Sequence, residues 1–309
     1  MVRSSIIQRA YQASRALRFS PGDRLSRPLP HEWLWIGFCG VMALRLLLAS
    51  RADLAVGVYL LALLPYIILI ALGCIATPQL GATPWQRIRL IYPFLLMNLL
   101  YQATRPVIPA LGLQTQDTWL AGLDQQLLGA DLRLLLDRQI GWIYTPLASD
   151  TFSVCYLLLF VLLVTGMARA AWSPLRHQAA FSIGLWSVYA IGLFGYTIVP
   201  ARGPYVAFAQ LYRHAVAGGW LTDFNRHVVA VGAPGYDVFP SLHVAASAFL
   251  LLWDWHTSRR WFWVSVVPVV MLWMSTVYLR YHYVVDLIAG AALALVCLAI
   301  AKRALKTEA

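Results

Sequence analysis

The feature that most limits what this chain can become is a series of apolar stretches, each long enough to cross a bilayer core of about 30 Å. About eight can be read, at residues 32 to 50, 54 to 76, 88 to 104, 150 to 168, 178 to 199, 242 to 257, 261 to 279 and 283 to 301. Inside lipid a backbone must satisfy its own hydrogen bonds, so such stretches become helices. The expected fold is an all-α polytopic transmembrane bundle. Only 12% of the 309 residues are charged while 60% are hydrophobic, which excludes a disordered chain and most soluble enzymes of this length.

The placement of charge orients the bundle. The net charge of +11 comes from 24 Lys and Arg against 13 Asp and Glu, a balance that on a soluble protein would suggest nucleic acid as a partner. Here the basic residues fall between apolar stretches, and no nucleic-acid partner is expected. With the N-terminus inside, fifteen of the 24 are cytoplasmic: six within residues 1–30, then Arg87, Arg89, Arg169, Arg176, Arg259, Arg260, Lys302, Arg303 and Lys306. This is the positive-inside bias, and it puts both termini in the cytoplasm of a plasma or inner membrane. The long connections at 105–149 and 200–241 then face the periplasmic, extracellular or lumenal side.

Four parts are expected along the chain. Residues 1–30 form a basic cytoplasmic tail, too long and polar for a cleavable signal. Residues 31–87 add two N-terminal spans, residues 88–302 hold six core helices, and residues 303–309 form a second tail. Cys39, Cys74, Cys155 and Cys297 lie in apolar segments without paired spacing, so they read as small core residues. In the first outer connection, Trp119, Leu120, Leu123, Leu127 and Leu128 repeat at helical spacing, the pattern of an amphipathic interfacial helix. Asp117 and Asp124 would be its polar face. Leu132, Leu134 to Leu136 and Ile140 to Trp142 suggest a second such helix. Asp254 is expected to pair with Arg259 or face water, and His214 and His227 to be solvated.

Three polar clusters fall on the outer face. In Val199-Pro200-Ala201-Arg202-Gly203-Pro204 a helix ends beside a guanidinium, which can grip a phosphate or anchor at lipid head groups. In Phe239-Pro240-Ser241-Leu242-His243-Val244-Ala245 a polar loop becomes a helix, placing Ser241 and His243 at an anion-attracting N-terminus. There His243 suits proton donation to a leaving oxygen, or is simply an interfacial histidine beside a cap. In the block from Ser275 to Gly290, His282 and Asp286 stand four apart on one helix face. The carboxylate can then fix one ring nitrogen and free the other, or the two can be a structural polar pair.

Together these clusters resemble the three-part signature of the type 2 phosphatidic acid phosphatase superfamily, and are most similar to its inositol phosphorylceramide synthase branch. The resemblance implies a phosphohistidine mechanism with His282 as nucleophile, Asp286 as its orienting partner and His243 as general acid. It also implies that Arg202, assisted by Ser241, binds the phosphoryl oxygens, with no metal or other cofactor. Three positions depart from the pattern: Gly195 replaces a lysine, Thr276 an arginine and Leu242 a glycine. Arg280 or Arg105 would then supply the missing positive charge.

The expected function is an integral-membrane lipid phosphatase acting on a lipid phosphate or polyprenyl diphosphate. The alternatives are a head-group phosphotransferase passing the phosphoryl group to a lipid alcohol, and a transporter or scaffold without chemistry. Head group, acceptor and oligomeric state are not written in the sequence.

Overall fold

A computed structural model of the chain describes residues 29–49, 57, 64–72, 74–75, 82–129 and 132–307. The basic tail up to residue 28 and part of the second apolar stretch lie outside the described residues. The described elements are α1 (Pro30–Leu48), α2 (Ala82–Ala110), α3 (Asp117–Leu128), α4 (Leu132–Gln139), α5 (Pro146–Ala171) and α6 (Leu175–Tyr196). They continue with a short α7 (Pro204–Ala207), then α8 (Trp220–Gly232), α9 (Leu242–Thr257), α10 (Arg259–Tyr278) and α11 (Val284–Thr307). No strand occurs among the described residues, and the protein is a helical membrane bundle.

By length and composition, α1, α5, α6, α10 and α11 can each cross a membrane. Two further expected spans are helical but differ in kind. The segment at 88–104 lies within the 29-residue α2, which has three internal prolines. The segment at 242–257 is the 16-residue α9. Local chemistry sets several starts: Pro146 occupies the first turn of α5, and the Thr145 hydroxyl accepts from the Ala148 N–H at 3.2 Å.

Helix α6 is apolar all round and is the hub, packed against α1, α2, α9 and α11. Phe181, Leu185, Trp186 and Leu193 fill the core with Phe249 of α9 and Cys297 and Ala301 of α11. Outward-facing Phe160, Val164, Val267 and Leu295 stay exposed, as they should on a protein solvated by lipid. Charges inside the bundle have polar partners. Arg89 of α2 donates through Nε to Glu32 of α1 at 2.6 Å, and Arg45 caps the end of α6 by donating to the Thr197 carbonyl at 3.0 Å.

Two expectations need correction. Asp254 is buried and takes both arms of Arg169 from α5, at 2.6 and 2.8 Å, while Arg259 lies over the Trp255 ring. Helix α3 does form, but it turns Asp117, Leu120 and Asp124 inward and leaves Trp119, Leu127 and Leu128 exposed. Next to lipid the apolar stripe faces out and the carboxylates go where N–H groups can meet them. The His214 and His227 side chains are exposed as expected, while the backbone N–H of His214 donates to the buried carboxylate of Asp137 at 3.1 Å.

Candidate active site

The three polar clusters meet at the end of the bundle where α5, α9 and α11 begin and α6 and α10 finish. Ser241 caps α9, its hydroxyl accepting from the Val244 N–H at 3.4 Å. Its own N–H donates to the Asp286 carbonyl at 3.1 Å, which joins the start of α9 to the start of α11. The two helices approach so closely that a Cβ on Gly290 would lie 2.5 Å from the Ser241 carbonyl oxygen. Any side chain at 290 would push them apart.

His282 sits in the turn before α11 rather than on the helix, its N–H donating to the Thr276 carbonyl at 3.2 Å. Its Nδ1 is 3.1 Å from the Asp286 carboxylate, whose other oxygen accepts the Tyr283 N–H at 2.9 Å. In the tautomer with the proton on Nδ1, that nitrogen donates to the carboxylate and Nε2 keeps its lone pair. His243, in the first turn of α9, stands with its ring centroid 5.5 Å from that of His282 and is stacked on Tyr156 at 4.2 Å. The two imidazoles therefore stand side by side, near the positive end of the α9 dipole.

Arg202 borders the same cavity as His282, together with Tyr156, Tyr205, Asp237 and Tyr281. A single parallel bridge between Ala201 and Asp237 sets the Arg202 loop beside the segment leading to His243. The cavity measures about 20 Å³, room for about one water. Arg105 is exposed on α2 and donates to the Ala233 carbonyl at 2.6 Å, at the margin of this group. Arg280 is turned away: it adopts φ 62° and donates to Asp137 at 2.9 Å, outside the cavity that holds His282. Its backbone turn, with the Tyr205 N–H donating to the Arg280 carbonyl at 2.8 Å, directs the guanidinium to the far side of Tyr281.

Sequence reasoning missed the residues that hold this arrangement. Asp117 accepts from the N–H groups of Arg202 and Gly203 at 3.1 and 2.9 Å and from the Tyr283 hydroxyl at 2.8 Å. Asp124 accepts from the N–H groups of Val284 and Val285, at 3.0 and 2.8 Å, and so caps α11 from another element. Their seven-residue spacing, with Leu120 between them, marked one helix stripe and was the available signal. Asp237 is half-buried and accepts from the Tyr101 hydroxyl of α2. Burial pushes its carboxyl above the usual range, partly offset by the Tyr101 hydrogen bond and by His282 nearby.

An Asp124→Ala change should strand the amides at the start of α11, lowering stability by roughly 1–3 kcal/mol and slowing turnover by displacing His282. Asp124→Asn keeps one acceptor oxygen but turns its NH2 toward the second amide, and should recover only part of both. Thermal unfolding in detergent with parallel kcat measurements checks this.

Comparison with known proteins accords with this geometry. The PAP2 superfamily profile matches residues 118–300, more than half of the chain. The chain belongs to the PAP2 superfamily. A PA-phosphatase related-family protein of Dictyostelium discoideum is 31% identical over 115 residues, which cover 36% of this chain and 20% of that relative. The chain thus matches about a fifth of the length of this curated relative. No solved structure matches it.

The three departures from the superfamily signature each have a packing counterpart. A Cβ at Gly195 would lie 2.4 Å from the Pro240 ring, so no lysine fits there as the helices stand. Leu242 fills the notch left by Gly192, where a Cβ would come within 2.4 Å of it. Thr276 is buried, and its carbonyl receives the N–H groups of both Tyr281 and His282, at 3.0 and 3.2 Å. Among the described residues no group of three or more His, Cys, Asp or Glu is placed to hold a metal ion.

Proposed function

We propose that this PAP2 protein is an integral-membrane lipid phosphatase that works through a phosphohistidine and opens to the outer or lumenal side of its membrane. The observation that carries the reading is the trio of His243, His282 and Asp286, with the two rings 5.5 Å apart and Arg202 on the same cavity. In the first step Nε2 of His282 attacks phosphorus in line, a P–N bond forms, and the bond from phosphorus to the lipid oxygen breaks. Protonated His243 gives its proton to that oxygen, and the lipid alcohol leaves.

In the second step neutral His243 takes a proton from water, the resulting hydroxide attacks phosphorus, and the P–N bond breaks. Inorganic phosphate departs and both imidazoles return to their starting states. Arg202 and the α9 dipole counter the negative charge on the phosphoryl oxygens. Asp286 orients His282 throughout, and the two steps ask for no metal. Outward orientation rests on the concentration of Lys and Arg at the opposite end of the spans.

The test is product analysis with the purified full chain in nanodiscs, supplied with radiolabelled phosphatidic acid with and without ceramide. Release of inorganic phosphate is the expected result. A new labelled phospholipid that depends on the added alcohol would replace hydrolysis by head-group transfer. Absence of both products with phosphatidic acid and with a polyprenyl diphosphate would leave a protein without this chemistry.

A further inference from the structure

The end of the bundle remote from His282, where α5 and α9 finish and α6 and α10 begin, holds a cavity of about 440 Å³. It lies between the α5–α6 turn and the α9–α10 turn, with Arg169, Trp172, His177, Asp254 and Trp261 in its wall. The phosphoryl transfer proposed above leaves it without a role. Both terminal nitrogens of Arg169 are spent on Asp254, one on each carboxylate oxygen, at 2.6 and 2.8 Å, and the guanidinium carbon lies 4.7 Å from the centre of the Trp261 ring. That leaves Nε, which is buried with no hydrogen-bond partner among the described residues. Nδ1 of His177, on the same cavity, is buried and unpartnered in the same way. A buried donor in that state is costly until an acceptor reaches it.

The surrounding charge selects the acceptor. Asp254 is the single carboxylate within residues 166–178 and 253–263, against Arg169, Arg176, Arg259 and Arg260. The last three are exposed at the two turns, so the rim stays positive once Asp254 has balanced Arg169. The starts of α6 and α10 add their positive dipole ends, and neither Pro174 nor Ser258 caps its helix with a side chain. Tryptophan walls would suit a quaternary ammonium, but Arg169 already covers the Trp261 ring and the rim repels a cation. The fitting ligand is an oxyanion. A free ion fills little of such a volume, since ligand cavities commonly span about 300–1,000 Å³. Trp172 and Trp261 are exposed, as aromatic residues of a membrane interface are, and Val164 and Val264 on the same two spans are exposed where acyl chains run.

We propose that this cavity binds the phosphodiester head group of an anionic phospholipid in the leaflet opposite the candidate active site, with Arg169 Nε and His177 Nδ1 donating to its phosphate oxygens. On the orientation inferred above, that leaflet is the cytoplasmic one, where basic pockets between spans meet anionic lipid. The bound lipid is a ligand and not a substrate, so the proposal stands or falls apart from the phosphatase reading.

The probe is dioleoyl phosphatidylglycerol, a diester without a terminal phosphate, added to the purified, delipidated full chain and counted by native mass spectrometry. Dioleoyl phosphatidylcholine and glycerol 3-phosphate are titrated beside it. Phosphatidylglycerol should be retained about tenfold more tightly than phosphatidylcholine, and glycerol 3-phosphate should not be retained. Arg169→Lys keeps a charge for Asp254 but gives up the planar fork, and His177→Phe keeps the ring volume. Together they should weaken phosphatidylglycerol binding roughly tenfold, whereas Arg202→Gln at the other end should leave it within about twofold of native. Where the double replacement lowers the Tm, His177→Phe alone carries the comparison, with a loss of about threefold expected. Retention unchanged by these replacements, or lost in Arg202→Gln, overturns the site. Equal retention of phosphatidylcholine overturns the selection for an anionic lipid. Glycerol 3-phosphate held by the native chain and lost in the replaced one overturns the lipid and assigns the cavity to a soluble phosphate.

Discussion

Alanine at position 282 should lower kcat by about 10⁴-fold or more, and should abolish the covalent phosphoenzyme expected of the native protein. His282 is 3% exposed and its ring is held by Asp286, and in the proposed mechanism Nε2 is the attacking atom. Rapid quench with radiolabelled lipid phosphate should trap a label stable to alkali and lost in acid, the behaviour of a phosphoramidate. Asp286→Asn should retain the imidazole but lose the partner that selects its tautomer, slowing label formation by up to about 10⁴-fold. Both variants should keep the native Tm within a few degrees, which separates lost chemistry from lost fold. Native turnover or native labelling in His282→Ala would remove the nucleophile and with it the mechanism.

Much of the bundle is legible because a bilayer enforces one solution for an apolar stretch. The ends of α5, α6, α10 and α11 fall close to the expected spans for that reason. The errors come from partners distant in sequence. Asp254 meets Arg169, 85 positions away, instead of the nearby Arg259, and Tyr101 reaches Asp237 across 136 positions. No local pattern specifies either. Helix α3 shows a different failure: the rule that polar faces meet solvent reverses where the surroundings are lipid, so its two aspartates turned inward to hold the site together.

The core of the site is legible in part because its chemistry is local. His282 and Asp286 lie four apart, and that spacing correctly pairs them although the helix begins only at Val284. Placing Arg280 requires the backbone at φ 62° and the buried Asp137, neither of which the sequence exposes. Arg280 therefore reads from sequence as one more phosphate ligand beside His282, while its fold position turns it to the far side of Tyr281.

His243 should show its role through the leaving group. His243→Ala should slow hydrolysis of an alkyl phosphate ester by about 10²–10⁴-fold, because an alkoxide departs poorly without a proton. With p-nitrophenyl phosphate the first step should be nearly spared, since nitrophenolate leaves unaided. The second step should still suffer, because the same imidazole deprotonates the attacking water. The variant should therefore release a burst of about one nitrophenolate per active site, then turn over slowly, with the phosphoenzyme as the accumulating species. Tyr156 stacks on His243 at 4.2 Å, so alanine also removes packing, and a purely structural role predicts equal losses on both esters with no burst. Stopped-flow absorbance distinguishes the two: a burst with a selective loss on the alkyl ester assigns the proton to His243, and uniform loss takes it away.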